Sequence, residues 1–139
     1  MSNYQVPELL RNFFSVVAGV IAAFAVLISL VAFLMFTGII DWGFESITTG
    51  DDTTPKISFA FSVSIAALSG GYTTAKISTR SNWVHINLTA IIIFLLAFFT
   101  DEFDLGYHMY WKYAFLLLII PFALLGGYLG LRSERMKWK

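Results

Sequence analysis

The chain has 139 residues, no cysteine, a hydrophobic fraction of 58% and a charged fraction of 13%, and its nine basic and nine acidic side chains give a formal net charge of zero. So much apolar surface cannot be buried in one small water-soluble core, and a lipid environment is the simpler expectation. The missing cysteines exclude disulfides, thiolate metal sites and a cysteine nucleophile, and the balanced charge argues against nucleic acid as a partner.

Four apolar stretches follow one another. The first, residues 13–36, holds 24 residues without a charge; as a helix it rises about 36 Å, enough to cross the hydrocarbon with some tilt. It is too long for a signal-peptide core and no small-residue cleavage site follows, so the mature protein is expected to keep it. The second, residues 57–75, begins after Thr53, Thr54 and Pro55, where a hydroxyl can cap free amides and a proline suits the first helical position. A polar turn over residues 78–82 leads to the third, residues 84–99. Asp101, Glu102, Asp104 and Gly106 then interrupt the pattern before the fourth, residues 113–131. Pro121 removes a backbone bond and clashes with the carbonyl of Leu117, which predicts a kink midway along that span. The expected architecture is an all-α membrane protein, a single domain over residues 1–139 forming a four-transmembrane-helix bundle.

Basic residues resist translocation, so their positions set the direction of the spans. Arg11, Lys76, Arg80, Arg132, Arg135, Lys137 and Lys139 fall on one side, opposed across the spans by Asp41, Glu45, Asp51, Asp52, Asp101, Glu102 and Asp104, with Lys56 and Lys112 as exceptions. Both termini are therefore expected in the cytoplasm. Trp42 and the cluster Tyr107, Tyr110, Trp111 and Tyr113 would mark the outer interface, and Trp83 and Trp138 the inner one.

The second and fourth spans match at an offset of 56 residues: Lys56 with Lys112, Phe59 with Phe115, then Ala67, Leu68, Gly70, Gly71 and Tyr72 with Ala123, Leu124, Gly126, Gly127 and Tyr128. A duplication would make two parallel helical hairpins related by an axis along the membrane normal. The small alphabet of membrane helices offers chance as the other explanation, and the first and third spans show no matching similarity.

Small residues four apart allow close helix approach in lipid. The second span carries Ser58, Ser62, Ala66, Gly70 and Thr74 on one row, with Ala67, Gly71 and Ala75 beside it. The first carries Ser15, Gly19 and Ala23, and the fourth Gly126 and Gly130 beside Ala123 and Gly127. The third reads as bulky on every face, so it is expected to meet lipid or another chain through residues such as Phe94 and Phe98.

No Asp, Glu, Lys or Arg lies inside a span, which weakens coupled transport. His85, Asn87 and Thr89 form a polar patch, either a proton-accepting or headgroup site or an interfacial anchor of a short helix. Asp101, Asp104 and His108 have a spacing suited to a divalent ion if helical, or simply form an acidic outer loop. The hydroxyl row of the second span could line a polar cavity or bond back to its own helix. Gly70, Gly71 and Tyr72 lack the strand and the Lys-Ser/Thr pair of a nucleotide loop. No Ser-His-acid set can be assembled on one side of the membrane.

Over residues 70–85, the run Gly70-Gly71-Tyr72-x-x-Ala75-Lys76, a basic turn and a histidine opening the next helix, the chain resembles uncharacterised small four-helix bacterial membrane proteins. That resemblance implies a bacterial inner membrane and no activity. The expected function is a non-catalytic accessory or scaffold subunit without a cofactor, its partners being membrane lipids and either itself or another integral membrane protein. The partner surface would draw on His85, Asn87, Tyr72, Tyr128, Phe94 and Phe98. An oligomeric small-solute transporter or channel is the alternative, and a lipid-acting enzyme is a third. Single cysteines at positions 46 and 105 should react with an impermeant thiol reagent in intact cells, and one at position 81 should not; labelling of position 81 alone would reverse the orientation.

Overall fold

The computed structural model describes residues 5–43, 47, 52–78, 83–99 and 109–136, and among them every regular element is a helix. Helix α1, Gln5–Phe36, starts with Pro7 and Glu8 in its first turn, where a missing amide hydrogen is harmless and a carboxylate complements the helix dipole. It stops at Gly38, whose φ of +76° is a left-handed conformation suited to glycine. The amide of Gly38 donates to the carbonyl of Met35 at 3.1 Å and that of Ile39 to Leu34 at 3.0 Å, closing the last turn as a Schellman motif.

Helix α2, Thr53–Ile77, is capped two residues earlier than the sequence suggests: the carboxylate of Asp52, not a threonine hydroxyl, accepts from the amide of Thr54 at 3.0 Å. That bond holds the Asp52 carboxyl below its ordinary value of 3.8. Pro55 is consequently the third helical residue, still in the turn whose amides have no intrahelical partner. At the far end, Nε of Arg11 donates to the carbonyl of Ile77 at 3.0 Å, so a residue read from sequence as a topological charge also satisfies an orphan acceptor of α2. Helix α3, Trp83–Phe99, has 17 residues, and α4, Met109–Met136, runs on as helix through Pro121.

Among the described residues, two helices contain segments long and apolar enough to cross a membrane, Pro7–Phe36 and Tyr113–Ser133, while Trp83–Phe99 is apolar but shorter. In α1 only 17% of the most apolar stretch is buried, unlike the core helix of a water-soluble protein. Helix α2 falls outside this set because its serines, threonines and glycines lower its hydropathy, and it is the helix most enclosed by the others.

The contacts fix directions. Arg11 meets Ile77 and Gly19 meets Gly70 and Thr74, so α1 and α2 are antiparallel. Phe59 meets Phe115 edge-to-face at 5.5 Å, Gly71 lies on Ala123, and Gly130 lies on Tyr72 and Ala75, so α2 and α4 are parallel. Thr74 meets Thr89 and Gly70 meets Ile93, so α3 returns antiparallel to α2 and hence to α4, whose Gly127 it covers with Ile86.

Two features depart from the sequence reading. A two-fold axis relating the hairpins would make the α1–α4 and α2–α3 interfaces equivalent, yet α3 packs on α2 whereas α1 and α4 barely meet. Accordingly the paired glycines exchange roles: Gly70 faces α1 and Gly71 faces α4, whereas Gly126 faces α2 and Gly127 faces α3. Helix α3, expected to be bulky all round, buries a face made of Ile86, Thr89, Ala90, Ile93 and Ala97, in which small residues are hidden among the isoleucines.

The core gathers Phe59, Val63, Ala67, Ala90, Ile93, Phe115, Ile119 and Ala123, and the first loop closes it with Ile40 and Ile47. A methyl group at Gly71 would overlap the backbone carbonyl of Ala123, and one at Gly126 that of Leu68, so even alanine requires the helices to move. Gly71→Ala should therefore cost about 1–3 kcal/mol of stability in detergent, and leucine more. Unchanged thermal unfolding of both variants would remove the close-approach account.

Candidate functional site

Most hydroxyls of α2 turn back on their own helix. Ser62 donates to Ser58 O at 3.0 Å, Ser64 to Ala60 O at 2.9 Å, Ser69 to Ala66 O at 2.7 Å and Thr73 to Ser69 O at 2.8 Å. A hydroxyl engaged with the preceding turn presents little polarity to a solute, and its small volume lets a neighbouring helix come close. The cavity at the centre of the four helices agrees with that role. It measures about 20 Å³, near the space of one water, and its walls are Ala23, Phe24, Leu27, Val63, Ala66, Ala67, Ile93, Ala97 and Ile119.

One hydroxyl pair crosses between helices. Thr74 and Thr89, both fully buried, approach within 2.9 Å, and either oxygen can donate. Thr74 Oγ1 also lies 3.0 Å from the carbonyl of Gly70, and Thr89 Oγ1 lies 2.9 Å from that of His85. The chain of contacts thus links α2 to α3 beside the point where Gly19 brings in α1.

The polar patch expected over His85, Asn87 and Thr89 does not converge. Thr89 is buried against α2, Asn87 is exposed, and His85 is half-buried facing α1. Two residues along a helix turn a side chain by about 200°, which separates Asn87 from the other two. Nδ1 of His85 is buried and has no hydrogen-bond partner among the described residues. His85 lines an open groove of about 720 Å³ between α1 and α3, with Glu8 and Asn12 at the same end and Phe13, Val16, Val17, Val20, Ile21, Leu88 and Ile92 beyond them.

The remaining candidates scatter. Tyr72 is half-buried and carries Lys76 Nζ 5.1 Å above its ring, a cation–π contact, whereas Tyr128 is exposed beside Trp83, Leu131 and Arg132 on the opposite side of α4 from Gly126 and Gly130. Phe94 leans on the core and stacks on Phe98 at 6.4 Å; Phe98 in turn meets Phe99 edge-to-face at 5.4 Å, and these two are 43% and 77% exposed. Asp101, Asp104 and His108 lie outside the described residues, as do Glu45, Asp51, Arg80, Glu102, Tyr107, Lys137, Trp138 and Lys139, and the side chains of Tyr110, Trp111, Lys112 and Arg135. The groove itself escaped the sequence reading, since nothing in the sequence says that α1 and α3 lie side by side; Glu8 and Asn12, one turn apart before an apolar run, were its only local trace.

Comparison of the chain with protein-family models, with curated proteins and with solved structures finds no match, and the site is read from its own chemistry.

Thr74→Val and Thr89→Val should each cost about 0.5–1.5 kcal/mol, and the double variant less than their sum, because the second change removes a bond already lost. Strict additivity in detergent unfolding would show that the two hydroxyls do not interact.

Proposed function

We propose that the chain is a four-helix transmembrane bundle of a bacterial inner membrane, with both termini in the cytoplasm, acting as a non-catalytic accessory or scaffold subunit that associates with itself or with a larger membrane protein. Large apolar side chains face outward from every helix, among them Ile21, Ile28 and Phe33 of α1, Phe61 of α2, Ile91 and Phe99 of α3, and Leu117 of α4. An apolar surface of that extent suits lipid or a partner and is unstable against water. The enclosed position of α2 answers its low hydropathy: a helix surrounded by three others needs small residues more than oily ones.

The observation that carries the functional part is the filled centre. A cavity of about 20 Å³ with apolar walls, beside an α2 whose serines bond to their own carbonyls, favours a packing element over a solute path through one protomer. The exposed ring ladder of Phe98 and Phe99, anchored by half-buried Phe94, supplies a partner surface of the aromatic kind enriched at interfaces.

Replacing Phe98 and Phe99 with Ala removes that ladder and leaves Phe94 in the core, while replacing Ser62, Ser64 and Ser69 with Ala removes the hydroxyls and preserves small volume. The mass of the native assembly in mild detergent should fall for the phenylalanine variant and hold for the serine variant. Loss of a solute flux in the serine variant with the assembly intact would replace this reading with an oligomeric transporter or channel.

A further inference from the structure

The groove between α1 and α3 has a graded lining. Glu8, Asn12 and His85 occupy one end; Phe13, Val16, Val17, Val20, Ile21, Leu88 and Ile92 occupy the rest. Its existence follows from the packing on α2. Gly19 draws α1 onto Gly70, and the Thr74–Thr89 bond draws α3 onto the same turn of α2, so the bulkier residues flanking these contacts face each other across a gap.

The axial order of the polar groups can be read from the same contacts. Gly19 and Thr89 both meet Thr74, so one turn back along the parallel helices His85 comes level with Ser15. Asn12 then lies roughly 5 Å further toward the helix start and Glu8 roughly 10 Å further. From outside inward the groove offers a carboxylate, an amide and an imidazole, and then only hydrocarbon. The apolar part of α1, from Phe13 to Ile21, rises roughly 12 Å, close to the half-thickness of a bilayer's hydrocarbon core, about 15 Å.

We propose that this groove binds a membrane phospholipid with an ethanolamine headgroup: the ammonium against the carboxylate of Glu8, the phosphodiester and glyceryl ester region beside Asn12 and His85, and one acyl chain along Val16, Val17, Val20, Leu88 and Ile92. Two observations select this occupant. The charged group in the lining is an anion, which complements a cationic head and repels a purely anionic one. Independently, half-buried His85 lines this end of the groove, so its imidazole meets polar headgroup atoms that enter there, where an apolar occupant would leave it unpaired. The inference rests on the membrane part of the proposed function.

The test uses the full chain. Retention in membranes after a carbonate wash tests the membrane reading. Native mass spectrometry in mild detergent, with equal amounts of phosphatidylethanolamine and phosphatidylglycerol of identical acyl chains, tests the groove. The ethanolamine lipid should be retained about two- to fivefold over the glycerol lipid, the scale of a solvent-accessible charge pair. Glu8→Gln should abolish that preference, and Val17→Trp, which fills the groove, should abolish retention of both lipids. Equal retention by the wild-type chain, or a preference that survives Glu8→Gln, overturns the inference alone. A Val17→Trp variant with altered oligomer mass and unaltered lipid selectivity makes the groove a contact between copies and also overturns it. Release of the chain by carbonate overturns both readings.

Discussion

Everything in this structure depends on how closely other backbones come to α2. On one side, Gly19 of α1 lies against Gly70, where an added methyl would come within 2.9 Å of the Gly19 carbonyl oxygen. On another, α4 presses the Ala123 carbonyl onto Gly71 and receives the Leu68 carbonyl at Gly126. Such contacts are favoured by dispersion and by weak Cα–H···O bonds, both of which need the helix axes close. Once α1 and α4 are fixed in this way, α3 is placed by Thr89 on α2 and by Ile86 over Gly127. The gap between α1 and α3 is a by-product of that arrangement.

The polar groups are distributed as the same physics requires. Within α2, the hydroxyls of Ser62, Ser64, Ser69 and Thr73 find acceptors on the preceding turn, and that of Thr74 meets Thr89. Stronger polar devices sit at helix ends: the Schellman turn at Gly38, the Asp52 cap, and Arg11 on the last carbonyl of α2. At exposed helix ends water competes for the same bonds and the cost of imperfection is small. His85 stands out against this order, because it is near a helix start yet keeps a buried nitrogen unpaired among the described residues.

Much of the helix content was legible in the sequence, since uninterrupted apolar runs and the polar breaks between them mark helices and turns without reference to packing. Periodicity also drew attention to the glycines of α2 and α4. What it could not supply was direction around each helix: whether Gly70 or Gly71 faces α1 is decided by the neighbours, and the two copies of Ala-Leu-x-Gly-Gly-Tyr face different ones. The same limit hid Ala90 and Ala97 within a run of isoleucines and phenylalanines, and made α3 look featureless. Ile40 and Ile47 were passed over because they lie in a polar connection, although burying them closes the end of the core. The candidate site was least legible, for its lining comes from two helices separated by the whole of α2 and its polar members are individually unremarkable.

The central claim is that α2 and α4 run parallel in backbone contact, with Gly130 against Ala75, whose methyl lies 2.7 Å from where a Gly130 side chain would begin. A disulfide needs its β-carbons about 3.5–4.5 Å apart, so a small adjustment accommodates one there. The natural chain has no cysteine, so any bond formed by Ala75→Cys with Gly130→Cys is unambiguous. Mild oxidation of this double variant in membranes should cross-link the two positions within one chain, while Phe61→Cys with Leu117→Cys, which are 68% and 71% exposed, should stay reduced. Cross-linking of the exposed pair and none at Ala75 and Gly130 would contradict the account.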